Sequence, residues 1–211
     1  PVPYSNRSLD DASLTEFLSK RQKIYTKVAK NGDQVEFLVN GVPVPLKIYK
    51  NNTATTIHGY PGYLKKTPAM QRAGFNVFTV CVYLGVPGHS RTANTVWLGP
   101  GKYQVDVIRK AMREILKYAP DAMILLELNV TPSPEWSAAH PDEIVQYADG
   151  RKAVLNGTRI RELTNTPPPQ YVPVKDQPWT MPYWVPSYFS EKFTQDASRA
   201  IRDIFSVLEK T

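Results

Sequence analysis

The amino-acid sequence predicts an α/β protein in which helices alternate with the strands of a parallel sheet. Two apolar runs rich in β-branched and aromatic residues, 75–84 and 122–130, predict strands that are buried on both faces. Each run follows a stretch with apolar residues at helical spacing, 63–73 before the first and 105–116 before the second. Because continuous apolar strands that alternate with helices are typical of βα units, this pattern favours a parallel sheet over a β-sandwich.

A helix is predicted near the start of the chain, over residues 9–30. The apolar residues that recur there at helical spacing are Leu14, Phe17, Leu18, Ile24, Tyr25 and Val28. Asn31 and Gly32 follow directly and supply a natural C-terminal stop. The segment therefore predicts an amphipathic helix outside the main core.

A β-hairpin is predicted next, centred on Asn40 and Gly41. β-rich runs flank this pair, and both residues tolerate positive φ, which makes the pair a strong hairpin signal. Pro43 and Pro45 lack the N–H that a central strand donates to its neighbour. The second run is therefore at most an edge strand.

The last third of the chain combines an irregular segment with a helix. Residues 131–186 are dense in proline, and a stretch this long inside a compact domain is either functional or disordered. Its aromatic residues favour ordered cover over a site. A helical stripe follows, with Ser187 or Ser190 as its cap, and comprises Phe189, Phe193, Ala197, Ile201, Ile204 and Leu208. Together, these patterns predict a helix and hairpin lead-in over 1–50 and one main α/β domain over 51–211.

The charge and hydrophobicity of the chain narrow the expected partners and the expected cellular compartment. The net charge is +7, but the basic residues lie on helical patterns interleaved with apolar residues, which is typical of solvated helix faces. We therefore expect no nucleic-acid partner. No run approaches the roughly 18 apolar residues of a membrane span, so no membrane partner is expected. The chain begins at Pro1 rather than Met, which favours a secreted or periplasmic location after removal of an export signal.

Polar side chains follow the predicted strands at their carboxyl ends, where parallel sheets bind ligands. His58 lies in a short predicted strand at 55–60, Tyr83 ends the next strand, and Glu127 and Asn129 end the third. Glu127 and Asn129 are two residues apart, so both side chains point to the same side of their strand. A carboxylate accepts hydrogen bonds and an amide donates and accepts them, so this pair suits sugar hydroxyls.

Each candidate residue has a structural alternative. The alternative for Glu127 is a buried acid paired with Arg or Lys, and the alternative for His58 is a core or loop histidine. Trp97 and Trp136 are predicted in loops, where an aromatic side chain is either a packing plug or a platform for the apolar face of a sugar. Cys81 is the single cysteine and is predicted to be a buried thiol without a disulfide.

No cofactor or metal is expected. His58, His89 and His140 are scattered and lack a second ligand at the spacing of a zinc site. The glycine-containing stretches GYPGY and GPG match neither nucleotide-binding fingerprint, and no G-x-S-x-G nucleophile motif is present. The ligand class that the pair Glu127 and Asn129 favours is a carbohydrate.

A succession of short motifs runs through the same region. In chain order these are Gly74-Phe75-Asn76, Trp97, Gly101-Lys102-Tyr103, Pro134-Glu135-Trp136, His140-Pro141-Asp142-Glu143 and Asp149-Gly150. Their succession resembles the N-terminal half of a clan A glycoside hydrolase barrel, closest to the family 42 β-galactosidase type. The lead-in NGVPVPLKIY and the final helix also resemble that family. The resemblance covers roughly residues 35–211.

The resemblance implies a partial (β/α)8 TIM barrel, made of about three of the eight βα units. It implies a glycosidase of carbohydrate metabolism that cleaves β-galactosides or related sugars by a retaining mechanism with two carboxylates. In the family the acid/base and nucleophile glutamates follow later strands, so the catalytic residues are expected beyond this chain. A second chain or a further C-terminal segment is then expected to complete the barrel.

The resemblance also gives the strand-end residues a role. The residues expected to line the substrate pocket are His58, Trp97, Glu127, Asn129 and Trp136. The alternative function is a noncatalytic carbohydrate-binding or assembly protein built on a half barrel. An absent catalytic pair favours this alternative, whereas the family-like lead-in and loop order favour the enzyme.

Overall fold

A computed structural model describes residues 8–50, 61–85, 95–156, 159–164 and 182–209. The chain divides into two compact units. Among the described residues, unit 1 comprises 8–50, 61–80 and 112–125. Unit 2 comprises 81–85, 95–111, 126–156, 159–164 and 182–209. The predicted division of the chain after residue 50 stays a prediction.

Unit 1 begins with helix α1 (Asp11–Lys20), whose first turn is capped by Asp10 accepting from the backbone N–H of Ser13 at 2.7 Å. The predicted helix over 9–30 is wrong beyond Lys20, because Arg21 is extended (ψ 130°) and strand β1 (Thr26–Asn31) follows. The apolar spacing that suggested a longer helix continues here into a strand whose side chains are mostly exposed.

A three-stranded antiparallel sheet follows α1 in unit 1. Strand β1 pairs with β2 (Gln34–Val39), and β2 pairs with β3 (Val42–Pro43). Asn40 and Gly41 adopt φ of 50° and 83°, so the predicted hairpin turn is confirmed. Strand β3 lies at the edge of the sheet, as the prolines predict.

The βα pattern produces a three-stranded parallel sheet. Its strands and the intervening elements are β4 (Ile48–Tyr49), α2 (Pro61–Arg72), β5 (Val77–Tyr83), β6 (Trp97–Gly99), β7 (Lys102–Tyr103), α3 (Asp106–Tyr118) and β8 (Met123–Asn129). The strand order is β4-β5-β8, and β5, α3 and β8 contribute residues to both units. The backbone N–H of Met123 donates to Asn76 in unit 1, and that of Leu84 donates to Asn129 in unit 2, both at 3.0 Å. The predicted α/β class with a parallel sheet is therefore confirmed, and the strand predicted at 55–60 lies outside the described residues.

The irregular segment predicted over 131–186 contains regular structure in unit 2. Its elements are helix α4 (Pro134–Ala139), a 3-10 turn (Pro141–Glu143), and strands β9 (Lys152–Asn156), β10 (Arg159–Thr164) and β11 (Pro182–Trp184). The three strands form an antiparallel sheet in the order β10-β9-β11. The expectation of an irregular segment is therefore wrong for these parts.

Helix α5 (Glu191–Leu208) closes the described part of unit 2. The hydroxyl of Ser190 accepts from the backbone N–H of Phe193 at 2.9 Å, which settles the predicted choice of cap in favour of Ser190. Its buried residues are Phe193, Ala197, Ala200 and Ile204. Phe189 precedes the helix and is 96% exposed, so its predicted place in the apolar stripe is wrong.

Candidate functional site

Four polar side chains meet at the carboxyl ends of β5 and β8 in unit 2. We call Cys81, Tyr83, Glu127 and Asn129 the strand-end cluster. Side chains alternate along a strand, so Cys81 and Tyr83 share one side of β5, and Glu127 and Asn129 share one side of β8. The side-chain amide of Asn129 donates to the Cys81 sulfur at 2.9 Å, which shows that the two pairs point to the same side of the sheet.

The electrostatics of the strand-end cluster keep Tyr83 protonated. Burial raises the pKa of the Tyr83 phenol, and the neighbouring Cys81 thiol and the charge of Glu127 raise it further. The phenol is therefore a neutral hydrogen-bond donor and acceptor at any ordinary pH. Glu127 and Asn129 are both half-buried. The cluster thus combines a phenol, a carboxylate and an amide that are only partly covered by the chain.

The loops that follow β5 and β8 approach each other closely in unit 2. The backbone N–H of Gly85 donates to the Thr131 hydroxyl at 3.2 Å. A Cβ atom at Gly85 would overlap the backbone of Pro132 and Ser133, so this position requires glycine. The close approach fixes the backbone directly after Asn129.

Both predicted tryptophans are buried in unit 2. Trp97 is 1% exposed and Trp136 is 0% exposed. Trp97 lies in β6, against which α4 packs, and Trp136 lies in α4 itself. Their burial supports the packing alternative for both residues. A platform role against a sugar ring stays a prediction, and it requires one face of the indole to become uncovered.

Trp136 is the centre of a polar contact between α4 and α5. Its indole N–H donates to Asp196 at 2.9 Å, and Lys192 forms an ion pair with the same carboxylate at 2.8 Å. The indole packs edge-on against Phe193 and stacks on the His140 ring, with ring centroids 5.1 Å and 4.6 Å away. We call these five residues the α4–α5 contact. Its arrangement is that of a packed helix interface, in which the predicted loop tryptophan is an anchor.

The electrostatics of the α4–α5 contact favour the ionised form of Asp196. Burial alone would raise the pKa of Asp196, but hydrogen bonds from Lys192 and Trp136 outweigh it, and the pKa is lowered. His140 Nδ1 lies 2.8 Å from the Trp136 carbonyl oxygen, which can only accept, so Nδ1 carries the hydrogen. The polar atoms at the centre of this contact therefore have partners.

The structure places the remaining predicted residues as follows. His58 lies outside the described residues. Across the described part of the chain, no group of three or more His, Cys, Asp and Glu side chains could hold a metal ion. Cys81 was not predicted as a member of the cluster, although its position two residues before Tyr83 places it on the same side of a strand.

Comparisons with known proteins give no relative. No protein-family model matches the chain, and neither the curated proteins nor the solved structures contain a match. Among the described helices, none is both long and apolar enough to cross a membrane. The geometry of the strand-end cluster is therefore the basis for inferring a function.

Proposed function

We propose that the strand-end cluster binds the hydroxyl groups of a carbohydrate, and that the chain is the N-terminal part of a β-galactosidase-like glycoside hydrolase. The observation that carries this proposal is the convergence of Tyr83, Glu127 and Asn129 on one side of a parallel sheet at its carboxyl end. Ligand-binding groups in open parallel sheets and in (β/α) barrels occupy this end.

The chemistry of the three side chains suits a polyol. The Glu127 carboxylate accepts two hydroxyl donors, and the Asn129 amide offers both a donor and an acceptor. The protonated Tyr83 phenol adds a further donor beside them. A neutral sugar satisfies such a mixed set, whereas an anionic ligand would meet the charge of Glu127.

The exposed edge of the parallel sheet supports the barrel part of the proposal. Among the described strands, β8 lies at the edge of the sheet. Leu125, on the same face of β8 as Glu127 and Asn129, is 46% exposed. Parallel sheets normally have their strands covered on both faces and their edges protected. A further strand, from another segment or from a second chain, would pair with β8 and continue the partial (β/α) barrel. The two carboxylates of the retaining mechanism are assigned outside these residues.

The experiment that tests the site is carbohydrate titration of the 211-residue chain and its variants. Methyl β-D-galactopyranoside is titrated by calorimetry into the wild type, Glu127→Gln and Asn129→Ala. We expect each substitution to weaken binding about 10-fold or more. Glu127→Gln removes the charge from a hydrogen bond to the ligand, and Asn129→Ala leaves the ligand group that the amide binds without a partner.

Glu16→Gln is the matched control for Glu127→Gln. Glu16 is a glutamate on the exposed face of α1 in unit 1, with 69% of its side chain accessible, so its loss of charge should leave the affinity unchanged. Equal affinity of the wild type and both cluster variants would reject the site. Binding by the wild type without hydrolysis of aryl β-galactosides, in a chain shown by mass to be complete, would favour the noncatalytic alternative.

A further inference from the structure

The hydroxyl of Thr95 is buried without a partner. Thr95 is 1% exposed, and its Oγ1 atom forms no hydrogen bond. A buried hydroxyl without a partner lowers the stability of the folded chain, and such groups are rare in native proteins. Valine, which the chain has at the next position, Val96, has nearly the same shape as threonine and would avoid this penalty at position 95. The threonine at this position therefore needs an explanation other than packing.

Thr95 lies on the same side of the sheet as the strand-end cluster. It forms a parallel β-bridge with Tyr83, and the backbone N–H of Val96 donates to the Tyr83 carbonyl at 3.2 Å. Residues paired across neighbouring strands present their side chains on the same side of the sheet. Since Tyr83 shares its side with Cys81 and Asn129, the Thr95 hydroxyl lies on the side where the cluster lies.

We propose that Thr95 is a further ligand-binding residue of the strand-end cluster, and that its hydroxyl binds one hydroxyl group of the ligand. This inference rests on the proposed carbohydrate site. The Thr95 hydroxyl is enclosed, so its partner is the ligand hydroxyl that enters deepest. A hydroxyl both donates and accepts, which matches the chemistry of a sugar hydroxyl and complements the acceptor Glu127 and the donor Tyr83.

Thr95→Val tests the proposal, because it removes the hydroxyl and keeps the shape of the side chain. Its thermal unfolding midpoint should equal or exceed that of the wild type, since an unpartnered buried hydroxyl is lost. Its affinity for methyl β-D-galactopyranoside should fall about 3- to 10-fold, the effect of one hydrogen bond between neutral groups. A purely structural residue would not change stability and affinity in opposite directions.

Monodeoxy galactosides identify the ligand hydroxyl that Thr95 binds. The wild type and Thr95→Val are titrated with methyl β-D-galactosides that each lack one hydroxyl. The difference in affinity between the two proteins should disappear for one analogue and persist for the others, because only that analogue lacks the partner of Thr95.

Thr67→Val is the matched control. Thr67 is also fully buried, but it lies on helix α2 in unit 1 and has an interaction partner. Its substitution should lower the unfolding midpoint and leave the affinity unchanged.

The possible results separate the two proposals. If the wild type binds the galactoside and Thr95→Val binds it equally well, the role of Thr95 is rejected and the carbohydrate site stands. A lower unfolding midpoint for Thr95→Val would show that the hydroxyl has a partner in the free protein, which also rejects the role. If the wild type binds neither galactosides nor other glycosides, the carbohydrate site is rejected, and the inference about Thr95 falls with it.

Discussion

The strand-end cluster and the α4–α5 contact both collect polar side chains within unit 2, but they differ in how completely the protein covers those side chains. In the α4–α5 contact, the indole N–H of Trp136, the carboxylate of Asp196 and the ring of His140 have partners at 2.8 to 3.0 Å. In the strand-end cluster, Tyr83, Glu127 and Asn129 are only half-buried, and the neighbouring Thr95 hydroxyl is buried without a partner. A fully covered network stabilises the fold, whereas a partly covered one leaves polar groups within reach of a ligand.

The largest effect is expected for Trp136→Ala in the α4–α5 contact. The indole is fully buried, so its removal deletes a large apolar surface and leaves a cavity beside Phe193. The free energy of unfolding should fall by about 3–5 kcal/mol, measured by urea denaturation. Phe189→Ala is the control, because that aromatic side chain is almost fully exposed and its loss should change stability by less than about 0.5 kcal/mol. A loss below about 1 kcal/mol for Trp136→Ala would show that α4 is not anchored through this residue.

A smaller effect is expected for Asp196→Ala, which leaves the buried indole N–H of Trp136 without an acceptor. The free energy of unfolding should fall by about 1–3 kcal/mol at pH 7. Asp196→Asn keeps an oxygen for the indole and removes the charge that pairs with Lys192, so it should lose less. Equal losses for both variants would assign the stabilisation to the ion pair instead of the indole hydrogen bond.

Acid should weaken the same contact in the wild type. The pKa of Asp196 is lowered from its ordinary value of 3.8, so its contribution to stability is fully present above 3.8 and is lost as the pH falls through the lowered pKa. The difference in unfolding free energy between the wild type and Asp196→Asn should therefore shrink below pH 4, at about the unfolded pKa of an aspartate. A difference that stays constant down to pH 2, roughly the low end for a hydrogen-bonded carboxylate, would contradict the lowered pKa.

The sequence predicted the parallel sheet because β5 and β8 are continuous apolar runs, which few other structures accommodate. It failed beyond Lys20, where Val28 fits a helical period and an exposed strand equally well. Gly32 fits a helix end and a hairpin turn equally well, and the pairing of Asn31 with Gln34 across Gly32 and Asp33 decides for the turn. The local pattern thus settled the two apolar strands, of which β5 is buried and β8 only partly covered, but not the exposed strand β1.

The candidate site shows the same limit. The spacing of Glu127 and Asn129 was enough to place them on one side of a strand. The partner of Trp136 lies 60 residues further along the chain, so no local pattern could show that this tryptophan is an anchor. The missing partner of Thr95 is likewise a property of three-dimensional packing. Sequence therefore predicts which residues share a side, whereas the structure is needed to tell which of them are satisfied.

The smallest effect on stability is expected for Asn129→Ala, and it is the sharpest test of the comparison. The Asn129 side chain is half-buried, and its contact with the Cys81 sulfur is weak, because a thiol is a poor acceptor. The free energy of unfolding should therefore change by less than about 1 kcal/mol in urea denaturation. The affinity of Asn129→Ala for methyl β-D-galactopyranoside should nevertheless fall. For Trp136→Ala, by contrast, the main effect is the loss of stability. If Asn129→Ala instead lost as much stability as Asp196→Ala, the strand-end cluster would be a second structural network, and the distinction that assigns it to ligand binding would fail.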